Sequence, residues 1–239
     1  MSKLGHCSRS QAAALIREGR VRLNGIVRRD PEWPMHLGRD RVEVENAALA
    51  RTPFQYWILN KPRGLVTTAA DEKGRETIYS LLEPGLPWLA PVGRLDKASE
   101  GLLLLTNDSE WGQRVVDPES HLEKTYHVQV NEMAGEALLA RLRLGVVDGG
   151  QRLRVTRVEV LRSGSKNSWL AIVLDEGKNR QIRRMLAACG LEVLRLVRVA
   201  IGPLELGELA KGKAREMKSE EKLAIDRALL KRATKHPDQ

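Results

Sequence analysis

Asp96 is the one carboxylate in the polar stretch Gly93-Arg94-Leu95-Asp96-Lys97-Ala98-Ser99, and it stands between Arg94 and Lys97. Adjacent cations favour the ionised form of a carboxylate, which can then act as a base or a nucleophile. Spacing alone suits a solvated turn between two core strands as well. A second candidate is Tyr126, in Lys124-Thr125-Tyr126. The chain has one Phe and three Tyr, and a tyrosine ring can stack on a nucleobase. A lone strand tyrosine is also an ordinary cross-strand packing residue. The third candidate is Glu176-Gly177-Lys178-Asn179-Arg180-Gln181-Ile182-Arg183-Arg184-Met185-Leu186. A glycine opening a helix, followed by Lys178, Arg180, Arg183 and Arg184, offers backbone N–H groups and positive charge to a phosphate. The plain alternative is a solvated basic helix face whose apolar side is Ile182, Met185 and Leu186.

Short elements must position these groups. Apolar segments around residues 90–92 and 102–105 flank the Asp96 turn, with Gly93 and Gly101 where backbone freedom or close approach is needed. Four consecutive leucines suggest a strand buried on both faces, a buried helix being the alternative for so short a run. Residues 55–60 are β-prone and bounded by Pro53 and Pro62. A helix over 109–116 starts behind an Asp108 or Ser109 cap. Residues 122–130 alternate as a strand that puts Tyr126 on the same side as Lys124, Val128 and Val130. Further on come a helix over 134–144, strands over 153–161 and 168–174, a basic helix over 178–189 and an apolar, β-branched stretch over 191–201. Residues 211–235 read as a polar helical tail, either a surface helix or frayed.

Residues Ser8 to Val44 look like a small unit of their own. Ser8 or Ser10 caps a helix carrying Ala12, Leu15 and Ile16 at helical spacing, and Gly19 stops it. Val21-Arg22-Leu23, the turn Asn24-Gly25 and Ile26-Val27 make a hairpin.

Gly93-Arg94-Leu95-Asp96 followed by Ser99-Glu100-Gly101-Leu102-Leu103-Leu104-Leu105-Thr106-Asn107-Asp108 resembles the signature of RNA pseudouridine synthases, in the ribosomal RNA branch typified by RsuA. Ala98 departs from the polar residue often found there. The resemblance extends through about Gly202 and makes Asp96 the essential catalytic residue. It places Tyr126 on the wall of the uridine pocket, and it identifies Asn60-Lys61-Pro62-Arg63-Gly64 as a further family phrase. The segment from Glu176 is then the third motif, whose basic residue pairs with the aspartate; motif position gives that role to Lys178, with Arg180 as the alternative. The phrases Ser8-Arg9-Ser10-Gln11-Ala12, Ile16-Arg17-Glu18-Gly19-Arg20-Val21 and Val21-Arg22-Leu23-Asn24-Gly25 resemble the S4 RNA-binding domain. Met1 directly precedes Ser2-Lys3-Leu4-Gly5, so either its first helix is short or the chain lacks its beginning.

The implied fold is α+β: a pseudouridine synthase fold, with a mixed, mainly antiparallel sheet and a central cleft, preceded by a small S4-like module. The expected boundaries are 1–46 for the module, 47–53 for a linker, 54–207 for the catalytic domain and 208–239 for the basic tail. The implied reaction converts a uridine of ribosomal RNA, from the large subunit, to pseudouridine after base flipping, with neither cofactor nor metal. Arg94, Arg180, Arg183, Arg184, Lys61, Arg9, Arg17, Arg20 and Arg22 are the expected RNA-binding residues. The competing expectation is a non-catalytic RNA-binding assembly factor. A DNA-binding protein is disfavoured for want of a recognition helix.

Composition agrees. The 239 residues include 40 Lys+Arg against 31 Asp+Glu, a formal charge of +9, which favours a polyanionic partner. Cys7 and Cys189 are too few and too far apart for a disulfide framework or metal site. No apolar run approaches the roughly 20 residues that span a bilayer, and no signal peptide is visible. A cytoplasmic monomer is expected.

Overall fold

The computed structural model describes residues 1–233 apart from Leu37, Arg51, Ala70 and Glu72. After a 3-10 turn at Ser2–Leu4, Ser8 caps helix α1 (Arg9–Arg17). Its hydroxyl accepts from Gln11 N at 3.1 Å while the Gln11 side chain accepts from Ser8 N at 3.0 Å, a reciprocal capping box. Strands β1 (Val21–Leu23) and β2 (Ile26–Arg28) are joined by Asn24 and Gly25, both at positive φ (53° and 81°), the turn whose twist suits a hairpin. Strand β3 (Val42–Val44) pairs with β1, and β4 (Ala47–Ala48) pairs with β3, so the expected linker begins as a strand. Val21, Leu23 and Val42 form the buried centre of this unit, with Leu4, Leu15 and Ile16 against it.

In chain order the remaining strands are β5 (Tyr56–Lys61), β6 (Ala90–Val92), β7 (Glu100–Thr106), β8 (Lys124–Val130), β9 (Val146–Asp148), β10 (Gln151–Leu153), β11 (Arg157–Ser163), β12 (Ser168–Leu174), β13 (Val193–Ile201), β14 (Leu204–Glu205) and β15 (Ala214–Glu216). The helices are α2 (Ser109–Val116), α3 (Glu136–Leu144), α4 (Gln181–Ala188) and α5 (Ser219–Ala233). β9 and β10 form a separate hairpin; the others make one sheet in the order β11-β12-β8-β13-β7-β5-β15, with β14 beside β13 and β6 beside β7. Every named pairing in it is antiparallel except β13 with β7.

β7 is buried along its whole length. Leu103 and Leu105 pack with Leu59, Leu65, Ile78, Leu89 and Leu95 on one face, whereas Leu102 and Leu104 pack with Ile58, Trp111, Val115 and Ile225 on the other. Two covered faces explain why the strand reads as an unbroken apolar run, each leucine contributing about 2 kcal/mol by leaving water. The described chain beyond residue 207, as far as residue 233, belongs to this core. β15 pairs with β5, Ile225 of α5 is fully buried, and the Trp111 indole donates to Asp226 at 2.8 Å. The expected polar tail is thus an edge strand and a docked helix; residues 234 and 235 lie outside the described residues.

The two halves of the sheet meet at the short parallel contact of β13 with β7, through the pairs Val197–Glu100 and Arg198–Gly101. Gly101 has φ +102°, and a Cβ there would lie 2.2 Å from the Arg198 carbonyl oxygen. Backbone on both sides leaves no room to yield. Gly101→Ala is therefore expected to lower stability by about 3 kcal/mol, measured by urea denaturation.

Candidate active site

The turn from β6 to β7 carries Asp96, and donors fix five of its carbonyls in succession. Thr67 Oγ1 donates to Leu95 O (2.7 Å), Lys61 Nζ to Asp96 O (3.2 Å), Gly64 N to Lys97 O (2.8 Å), Arg183 Nη2 to Ala98 O (3.1 Å) and Lys61 Nζ again to Ser99 O (3.0 Å). A turn held through its main chain presents its side chain in one place, which is what a reacting group needs. The Asn60-Lys61-Pro62-Arg63-Gly64 phrase supplies two of these donors. Lys61 is fully buried. It cannot meet RNA, and its expected RNA-binding role is corrected: its ammonium, with a third bond to Pro62 O at 3.0 Å, is an internal staple.

The Asp96 carboxylate faces Arg180, with Oδ2 3.5 Å from Nη1 and the side chain about one-third exposed. Lys178 is not the partner. Its Nζ lies 2.8 Å from Glu176 Oε2 and 3.4 Å from Arg152 O. The expected basic helix begins three residues late: Lys178 lies in the turn before α4, and Arg180, at φ +48°, is its N-cap. Gln181 holds this turn from a buried position. Its Oε1 accepts from Lys178 N (3.2 Å), and Nε2 donates to Arg154 O (2.9 Å) and Glu176 Oε1 (2.6 Å). Sequence reasoning missed Gln181, for which the only signal was a polar residue on the otherwise apolar side of the helix.

Asp96, Arg94, Tyr126, Lys178 and Arg180 line one groove of about 370 Å³, whose floor includes Val92, Leu95, Leu174, Ile182, Leu196 and Arg198. Tyr126 is half-buried at the junction of the two apolar clusters on this side of the sheet. Arg94 is exposed at the rim. Arg183 and Arg184 do not line the groove: Arg183 braces Ala98 O and Val193 O, and Arg184 pairs with Asp148 at 2.6 Å. Of the N-terminal arginines, Arg20 is paired with Glu18 and Glu45 and Arg22 donates to Gly25 O, while Arg9 and Arg17 are exposed. Among the described residues no helix is long and apolar enough to cross a membrane.

Residues 55–188 match the family model for RNA pseudouridylate synthases. The chain belongs to that family. Residues 1–40 of the synthase match the model for the S4 domain. It is 37% identical to a protein of Rickettsia bellii named an uncharacterized RNA pseudouridine synthase, over 91% of this chain and 94% of that one. It is 35% identical to ribosomal large subunit pseudouridine synthase B of Bacillus subtilis, over 89% of this chain and 88% of the relative. A solved structure described as the crystal structure of a pseudouridylate synthase superposes with a TM-score of 0.67 at 31% identity, covering 91% of this chain and 94% of the other.

Burial pushes the Lys61 ammonium of the synthase down to about 8, against the pull of Asp96 and Glu100. In the unfolded chain the group titrates near 10.5. Between those values the unfolded chain binds more protons, so this contribution to stability is fully present above the upper value and lost as pH falls through the lower. Lys61→Met removes that dependence. Urea denaturation at a series of pH values should show the wild-type stability rising relative to the variant across this window.

Proposed function

We propose that the synthase converts a uridine of large-subunit ribosomal RNA to pseudouridine, with Asp96 as the catalytic carboxylate. The observation that carries the reading is the carboxylate itself: held through five anchored carbonyls, it opposes Arg180 in a groove that also contains Tyr126. The name of the Bacillus subtilis relative supports the substrate class. Exposed Arg9, Arg17 and Arg94 contact phosphates of the docked RNA, and the target uridine leaves its stack to enter the groove. Tyr126 supports the ring. Arg180 orients Asp96, and Asp96 acts on the nucleoside as a nucleophile or as a base at the ribose. The glycosidic bond breaks, the uracil turns while sequestered, carbon–carbon bonding through C5 follows, and the C5 proton is lost.

Pseudouridine mapping in ribosomal RNA from cells with and without the gene tests this. Loss of modification at one or a few large-subunit uridines is expected. Unchanged large-subunit maps would contradict the proposal.

A further inference from the structure

Among the described residues that line the groove, Arg198 alone has a buried side-chain nitrogen without a hydrogen-bond acceptor. It is 6% exposed and stands in β13 opposite Tyr126 in the β8 register. Directly opposed residues of antiparallel strands project to the same side of a sheet, so Arg198 shares the face of Tyr126. Its Nε donates to Leu102 O at 2.7 Å, which anchors the guanidinium, while Nη2 is closed to solvent and unmatched. An unmatched buried N–H is costly and rare in native proteins. It is explained where a substrate delivers the acceptor.

We propose that Nη2 of Arg198 donates a hydrogen bond to a carbonyl oxygen of the target uracil and holds the ring through its rotation; the proposal rests on the isomerase reading above. When the C1′–N1 bond breaks, the bonding pair stays with the ring, and its negative charge spreads onto O2 and O4. A half-turn about the axis through N3 and C6 exchanges N1 with C5 and, with them, O2 with O4. A donor fixed at one carbonyl position therefore faces an oxygen before and after the turn. The C1′–C5 bond then forms, the C5 proton leaves and N1 gains a proton, so the atoms balance without a co-reactant. A cationic donor fixed in advance where charge develops stabilises the transition state more than the ground state.

The test uses an RNA fragment that the wild-type protein isomerises, synthesised with uridine, 2-thiouridine or 4-thiouridine at the target position, sulfur being the poorer acceptor. Single-turnover rates are compared for wild type, Arg198→Met and Arg198→Lys. On uridine, Arg198→Met should be slower by about 10²-fold, with RNA affinity and thermal unfolding little changed. The thio substitution that slows the wild type should cost the variants little more, because the bond it weakens is already gone. Arg198→Lys, which keeps the charge, carries this comparison if the methionine variant does not fold. Independent, multiplicative effects of sulfur and mutation, or a wild type indifferent to both thio substitutions, would overturn the assignment. A wild-type protein that isomerises no uridine in ribosomal RNA fails the isomerase reading itself, a result distinguishable from an active enzyme without coupling.

Discussion

Asp96→Asn is expected to fold and bind RNA like the wild type while losing pseudouridine formation by about 10⁴-fold or more, as when a catalytic nucleophile is removed. The loop explains why the two effects separate. Its position is set by donors to the Leu95–Ser99 carbonyls, none of which involves the Asp96 carboxylate. The side chain's own ion pair is the 3.5 Å contact with Arg180 across a partly exposed groove, so its loss should cost stability no more than about 1 kcal/mol. Asparagine keeps the shape and removes both the charge and the lone-pair reactivity. Near-wild-type turnover by this variant, in a single-turnover assay, would remove Asp96 from the mechanism.

The second large effect separates two neighbouring cations. Arg180→Ala should slow the single-turnover step by about 10²- to 10³-fold, because the carboxylate loses the group that orients it. Lys178→Met should stay within about 3-fold, since Lys178 pairs with Glu176, in a contact typical of weak surface ion pairs. Equal losses would mean that both cations act on the reacting centre. A larger loss at Lys178 would reverse their roles.

Much of the positioning framework was legible in residue pattern. Four leucines in a row suggested a strand covered on both faces, Asn24-Gly25 announced a hairpin, and the cap of α2, expected at Asp108 or Ser109, is Asp108. Asp96 itself was singled out by charge context and then by its motif. The misreadings share a cause: pattern shows residue type, not what the chain brings from a distance. Lys61 read as a surface cation because lysine is rarely buried, yet it sits beneath carbonyls contributed 35 and 38 residues later. Motif position put Lys178 ahead of Arg180, the reverse of the observed pairing, because the choice turns on a positive φ at a non-glycine residue, a backbone state that side-chain spacing does not reveal. Residues beyond 207 read as a polar tail because their anchors, Ile225 and the Asp226 bond to Trp111, are sparse in sequence and gain meaning only against α2. Arg198 was passed over in the stretch over 191–201, where Arg195 and Arg198, three residues apart, fit no strand alternation.

Tritium release from large-subunit ribosomal RNA labelled at uridine C5 bears most directly on the central claim, because bonding through C5 must expel that hydrogen. The wild-type protein should release tritium in proportion to the pseudouridine formed, and Asp96→Asn should release none above background. RNA that is bound without tritium release, or release that survives loss of the Asp96 carboxylate, would contradict the account.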